Sequence, residues 1–136
     1  MTVAEPTSTF SPADLAAIDG DGELHVAAHR ADGTLRPATI VWHVVVDGAL
    51  FVRSVRGDDG AWYGAVRRAG TGTVEAGGVR AVVRFVPDGE YEDAIDLAYR
   101  AKYGGGSAVR AITSATARGT TLRVEPLSRD AAAARG

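Results

Sequence analysis

The residue types best suited to chemistry fall in one short run, 51–63, which carries Arg53, Ser54, Arg56, Gly57, Trp62 and Tyr63. Its pattern reads as a strand end delivering Arg53 and Ser54, a loop holding Arg56 and Gly57, and a helix beginning near Ala61. A strand end, a short basic loop and a helix N-terminus together make an anion site. Guanidinium forks pair with phosphate oxygens, and the free N–H groups of a first helical turn add donors. Trp62 within the run and Trp42 ahead of it offer flat apolar surface to an aromatic ring. Asp58 and Asp59 oppose this reading, because either can cap the helix and both repel a phosphate. Exposed arginines are ordinarily just solvated. From the residues alone the run is therefore either an anion site or a charged loop in water.

Other constellations carry less. His25 and His29 are four apart, but they lie in a strand-and-turn stretch with no third ligand, so no metal site is expected. His43 sits mid-strand beside Trp42 and reads as a satisfied structural histidine. Nucleophile elbows, Walker sequences and dinucleotide fingerprints are missing. Gly104, Gly105 and Gly106 precede Ser107 but follow a helix rather than a strand, which makes them a hinge and not a phosphate loop. No residue emerges as a catalyst. The chain has no cysteine, which removes disulfides, thiol catalysis and iron–sulfur clusters. Fifteen basic and seventeen acidic residues give a net charge of −2, against the basic excess of a nucleic-acid binder. Lys102 is the one lysine among those fifteen.

These residues need elements to position them. Ser11, Pro12 and Asp14 open a short helix ended by Gly20 and Gly22. Leu24, Val26 and Ala28 alternate in a strand, and Asp32 with Gly33 turns the chain. A strand over 39–46 joins one over 49–55 through Asp47 and Gly48, the pair that favours a type I′ turn. Register then sets Val46 opposite Ala49, Val44 opposite Phe51 and Trp42 opposite Arg53. Both faces of this hairpin are mainly apolar, so both are covered: one by a barrel interior, the other by a helix or a second subunit. A helix over 61–68 ends at Gly70. A second hairpin, 71–76 and 79–85, turns at Gly77 and Gly78. A long helix spans 90–103, with Glu92, Asp96 and Arg100 spaced for pairing on its solvent face. A helical turn over 114–118 leads to a last strand at 121–125. With 46% of the residues in the hydrophobic class, the chain can bury one core. The expected fold is mainly β with peripheral helices (α+β), a six-stranded antiparallel barrel. Residues 1–10 are expected as a flexible N-terminus, 11–127 as the barrel domain and 128–136 as a disordered tail. No signal or spanning segment is visible, which points to a cytoplasmic protein away from membranes.

Several pieces carry a resemblance: Glu23 to Val26, Arg30 to Gly33, Val41 with Trp42, Val52 to Gly57, Gly60 to Tyr63 and Ala98 to Gly104. Across Ser11 to Pro126 the sequence resembles the FMN- and deazaflavin-binding split β-barrel superfamily, which includes pyridoxamine-phosphate oxidases and deazaflavin-dependent nitroreductases. Within it, the nearest likeness is to a small uncharacterised bacterial family. The resemblance implies a homodimer whose groove holds FMN or a deazaflavin (coenzyme F-420), and an oxidoreductase passing a hydride to a small organic substrate. It also implies that the partner copy covers the second apolar face of the central hairpin. Carried over, Arg53, Ser54, Arg56 and Gly57 become phosphate-end candidates. Trp62 and Tyr63 match a Trp-Tyr pair of the deazaflavin-dependent relatives. Trp42, His43 and Tyr103 become ring or substrate contacts. Asp58 and Asp59 depart from the family's usual phosphate loop. The alternative is a non-catalytic small-ligand or structural homodimer that has lost its cofactor.

Overall fold

The computed structural model describes residues 9–127. The tail expected at 128–136 lies outside that range, as does the expected flexible N-terminus apart from Thr9 and Phe10. Phe10 is buried in the core. Helix α1 (Pro12–Asp19) begins as its residues dictate, with Ser11 Oγ accepting the Asp14 N–H at 3.1 Å and Pro12 in the first turn. There follow β1 (Leu24–Ala28), β2 (Thr39–Val41), β3 (His43–Val46) and β4 (Ala49–Val52). A 3-10 turn at Gly57–Asp59 leads into α2 (Ala61–Ala69), which Gly70 ends in the left-handed conformation. Strands β5 (Thr71–Ala76) and β6 (Val79–Pro87) form the second hairpin. Helix α3 (Glu92–Tyr103) starts two residues later than its pattern suggests. Helix α4 (Ser107–Ile112) follows where the local pattern carries no helix signal, and α5 (Ala115–Arg118) and β7 (Leu122–Pro126) complete the described elements.

All seven strands join one antiparallel sheet in the order β2-β1-β5-β6-β7-β4-β3. Its edge strands, β2 and β3, are separated in sequence by Trp42 alone. The two edges therefore converge, and the sheet is nearly closed into a barrel. The six expected strands are all present; the seventh arises because the stretch 39–46 divides. Its first part pairs with β1, Val41 opposite Leu24, and its second part pairs with β4, His43 opposite Val52.

Such a division frees backbone groups that a continuous ladder would engage. Helix α3 supplies their partners. The Tyr99 hydroxyl donates to the Trp42 carbonyl at 3.4 Å, the His43 N–H donates to the Tyr103 hydroxyl at 3.2 Å, and Lys102 Nζ donates to the His43 carbonyl at 3.1 Å.

The β3–β4 turn has Asp47 at φ +52° and Gly48 at φ +77°, the positive pair that a type I′ turn requires. Val46 then faces Ala49 and Val44 faces Phe51. Side-chain alternation sends Leu50 and Val52 into the barrel with Leu24, Val26, Val74, Val83, Leu122 and Val124. Helices α1 and α2 add Ile18 and Val66 to this core. Val44 and Phe51 point outward and pack with Ile95, Tyr99 and Ile112 in a second core. The outer face of the hairpin is thus covered by α3 and α4 of the same chain, and needs no partner subunit for the purpose.

Replacing Tyr103 with Phe removes the acceptor for the His43 N–H. The expected cost is about 1–2 kcal/mol, read as a lower urea midpoint with an unchanged far-ultraviolet spectrum. A shift below about 0.5 kcal/mol, the range of an ordinary surface change, would show that the hydroxyl does not support the strand division.

Candidate functional site

The basic run divides in the structure. Arg53 leaves the end of β4 on the same face as Phe51, toward α3, and its side chain is wholly inaccessible to solvent. Nε donates to Thr121 Oγ1 at 3.0 Å, Nη1 to Asp96 Oδ1 at 2.5 Å and to the Ile112 carbonyl at 3.1 Å. Nη2 donates to Glu92 Oε1 at 2.7 Å and to the Glu92 carbonyl at 3.2 Å. A guanidinium has five N–H donors, and all are engaged within the chain. The spacing of Glu92 and Asp96 is that of one helix face, but the face turns inward onto Arg53 rather than outward to Arg100.

Ser54 is buried too. Its N–H donates to Thr120 Oγ1 at 2.8 Å and its hydroxyl to the Gly57 carbonyl at 2.9 Å. Gly57 holds φ +64°, and a Cβ there would stand 2.5 Å from the Thr116 Cγ2. Three of the four residues expected at a phosphate end therefore fasten the loop to α3, α5 and β7. Arg56 alone is exposed. Arg53 departs from the expected phosphate end because strand alternation puts it beside two carboxylates, which engage its donors from within the chain.

Trp42, His43 and Tyr103 do come together. The indole of Trp42 stacks on the Tyr103 ring with centroids 4.1 Å apart and planes 10° from parallel. His43 is fully buried, and its Nε2–H donates to the Ile18 carbonyl at 2.7 Å, which fixes that tautomer. Burial pushes the His43 pKa below its ordinary value, and the neighbouring Lys102 charge acts in the same direction. Burial also lowers Lys102 and raises Tyr103, with Asp19 partly restoring the lysine. These residues form a hydrogen-bonded cluster at the strand division, at the positions where the resemblance implied ring or substrate contacts.

An open cleft of about 480 Å³ lies elsewhere, between α2 and the strands β1 and β2. Val26, Ala28 and Val66 form its apolar floor, and the half-buried Trp62 forms a wall. Arg36 and Arg68 open onto it together with Asp58, Asp59 and the start of α2. Neither aspartate caps α2, whose N-cap is Gly60 with no side-chain hydrogen bond. Tyr63, the other half of the aromatic pair, faces the core. Arg36 and Arg68 escaped the sequence reading because they lie 32 residues apart and no local motif joins them. The apolar floor, the guanidinium groups, the free helix N–H groups and the indole are the donor set that a phosphate-bearing ring compound needs. The volume falls in the range of small-molecule sites.

A nearly closed antiparallel barrel with helices packed at its flanks is the split-barrel fold. Among solved structures, a conserved hypothetical protein from Mycobacterium tuberculosis (Rv2991) matches with a TM-score of 0.57 at 15% identity, covering 94% of this chain and 86% of that one. A Listeria innocua protein described as "Putative Pyridoxamine 5'-phosphate oxidase" matches at 0.51 and 14%, covering 86% and 91%. A Bacteroides thetaiotaomicron protein described as "a putative 5-nitroimidazole antibiotic resistance protein" matches at 0.51 and 11%, covering 92% and 84%. No curated protein matches the sequence. The chain belongs to the bacterial family described as "Uncharacterized protein conserved in bacteria (DUF2255)", whose profile matches residues 14–124.

Two predictions test these environments. Arg53→Met takes the cation from Glu92 and leaves Asp96 with Arg118 alone, and is expected to cost about 3–5 kcal/mol in denaturant unfolding, the range for breaking a buried pair. A loss under about 1 kcal/mol would remove Arg53 as the fastening of α3. For His43, the folded chain disfavours the proton that the unfolded chain accepts near 6.5. Its contribution is fully present above that value and declines as pH falls through it toward the lower folded pKa. The urea midpoint should therefore drop between about pH 7 and 5, and His43→Gln should flatten that part of the profile.

Proposed function

We propose that the cleft between α2 and β1–β2 binds a flavin or deazaflavin, and that the chain is a cytoplasmic, homodimeric oxidoreductase acting on a small organic substrate. The observation that carries this reading is the composition of the cleft, which places guanidinium groups and free helix N–H groups beside an indole and an apolar floor. The split-barrel fold supports it. Trp62 and the floor would hold the ring, and the cationic groups of the cleft would hold the anionic end. Arg56 is a further exposed cation on the loop that leads to it. When bound, such a cofactor supplies hydride transfer. The chain's own part is to position the ring and to shield one side of it from water. No side chain of the cleft is required as an acid or base for that role.

For the partner copy we propose the outward face of β5 and β6. Val82 is 40% exposed there, and Glu75 stands opposite Arg80. A face bearing both charge signs around an apolar centre can complement itself across a two-fold axis. No helix among the described residues is long and apolar enough to cross a membrane.

One observation favours a second reading, a ligand-binding or structural dimer without a cofactor. The strand-end cation Arg53 is fully engaged internally, and Asp58 and Asp59 share the cleft rim. Titrating the purified chain with FMN and with the deazaflavin cofactor separates the two. Binding at micromolar concentration or tighter is expected, read by the change in the cofactor's own fluorescence. Trp62→Ala should weaken binding about tenfold or more, as loss of a stacking platform does. If neither cofactor binds at micromolar concentration, the second reading stands.

A further inference from the structure

The cleft is polar end to end. Asp58 and Asp59 lie just before α2, while the Arg68 side chain turns back so that its guanidinium sits about one turn into the helix. The Arg68 guanidinium lies back over Gly64, where an added Cβ would come within 3.4 Å of Nη1. That distance is an ordinary van der Waals contact, so an alanine at position 64 would fit beneath the guanidinium. Arg36 reaches the same cleft from a separate segment, and its backbone N–H is fixed to the Ala28 carbonyl at 2.9 Å. Most arginines of the barrel and of α3–α5 have partners: Arg53, Arg84, Arg118 and Arg123 are all in ion pairs. Among the described residues no ion pair or side-chain hydrogen bond engages Arg36 or Arg68. Two exposed guanidinium groups that line the same cleft from separate segments can both take an anion with several oxygens. The two carboxylates at the other end exclude an anion there and accept N–H donors.

We propose that the cleft seats its ligand in one direction, with a phosphate or similar anionic group between Arg36 and Arg68 and an N–H-bearing heterocycle edge at Asp58 and Asp59. This rests on the reading of the cleft as a cofactor site. It moves the phosphate end away from the basic loop and from the first turn of α2. The ligand class is then a heteroaryl phosphate whose charge and ring edge are about one short chain apart.

The test compares FMN with riboflavin, which lacks the phosphate, by flavin fluorescence on the purified chain. Arg36→Ala and Arg68→Ala should each lower FMN affinity about tenfold or more, the effect of losing a charge-assisted hydrogen bond. Riboflavin affinity should stay the same. Arg100→Ala, on the solvent side of α3, should change neither. Asp58→Asn with Asp59→Asn should weaken both flavins alike. If the arginine variants leave the FMN-to-riboflavin ratio unchanged, or if the asparagine variant strengthens FMN alone, the direction is overturned while the cofactor reading survives. If neither flavin binds, that reading fails and inorganic pyrophosphate decides the subsite by amide chemical shifts. Shifts at Gly64, Arg68 and Arg36 that vanish in the arginine variants sustain it. No shifts, or shifts centred on Ala61 to Tyr63, overturn it. Thermal melts confirm that each variant is folded.

Discussion

Arg53 brings a full positive charge into a region closed to water, at the one point where the end of β4, the first turns of α3, the last turn of α4 and the start of β7 meet. Burying an unpaired guanidinium would cost several kcal/mol, so those elements are obliged to supply acceptors together. Glu92 and Asp96 do so from successive turns of α3, and each constrains the other's helix face. Thr121 extends the network by donating to Glu92 while accepting from Arg53. Arg118 pairs with Asp93 from α5. The second core of Val44, Phe51, Ile95 and Tyr99 forms beneath this cap, because α3 is held at the angle the network sets. Ring contacts extend the arrangement along α3: the guanidinium lies 5.6 Å from the centre of the Tyr99 ring, and Tyr99 neighbours Tyr103.

The same helix therefore serves two demands of different kind. At its N-terminal end it neutralises a buried charge, and at its C-terminal end it satisfies the backbone where the chain passes from one sheet edge to the other. An exposed edge strand is a liability for pairing with other chains. Here the His43 end of β3 is covered by Lys102 and Tyr103. The second apolar face of the central hairpin is covered by the same helix, which removes hairpin burial as a reason for dimerisation.

Much of the scaffold was legible in the sequence because it rests on local rules. The Asp47–Gly48 turn fixed the register of the hairpin, Ser11 and Pro12 fixed a helix start, and alternation fixed which residues of β6 face inward. The division at Trp42 was not legible, since nothing local distinguishes a strand that serves two neighbours from one that serves a single neighbour. The candidate site was read less well for a related reason. Arg53 and Ser54 look like a phosphate loop in sequence, and only the fold brings Glu92, Asp96 and Thr121 to Arg53, and Thr120 to Ser54, across 39 to 68 residues. The i,i+4 spacing of Glu92 and Asp96 was visible, but spacing alone does not say whether a helix face looks at water or at a buried cation. Trp62 was singled out for its flat apolar surface, and it does line a cleft. The arginines that share its cleft come from separate segments and carry no motif.

The division at Trp42 also bears on how the chain can change length. Because 39–46 is paired through one residue to both edges of the sheet, inserting or deleting a residue within either strand would force a slip in one of the two ladders and turn that half inside out. The same change at Gly105, exposed between α3 and α4 with no atom near its absent side chain, would disturb no ladder. Length variation among relatives should accordingly collect in the joints of the helical layer and in the turn around Gly33, while the short bridge through Trp42 keeps its count.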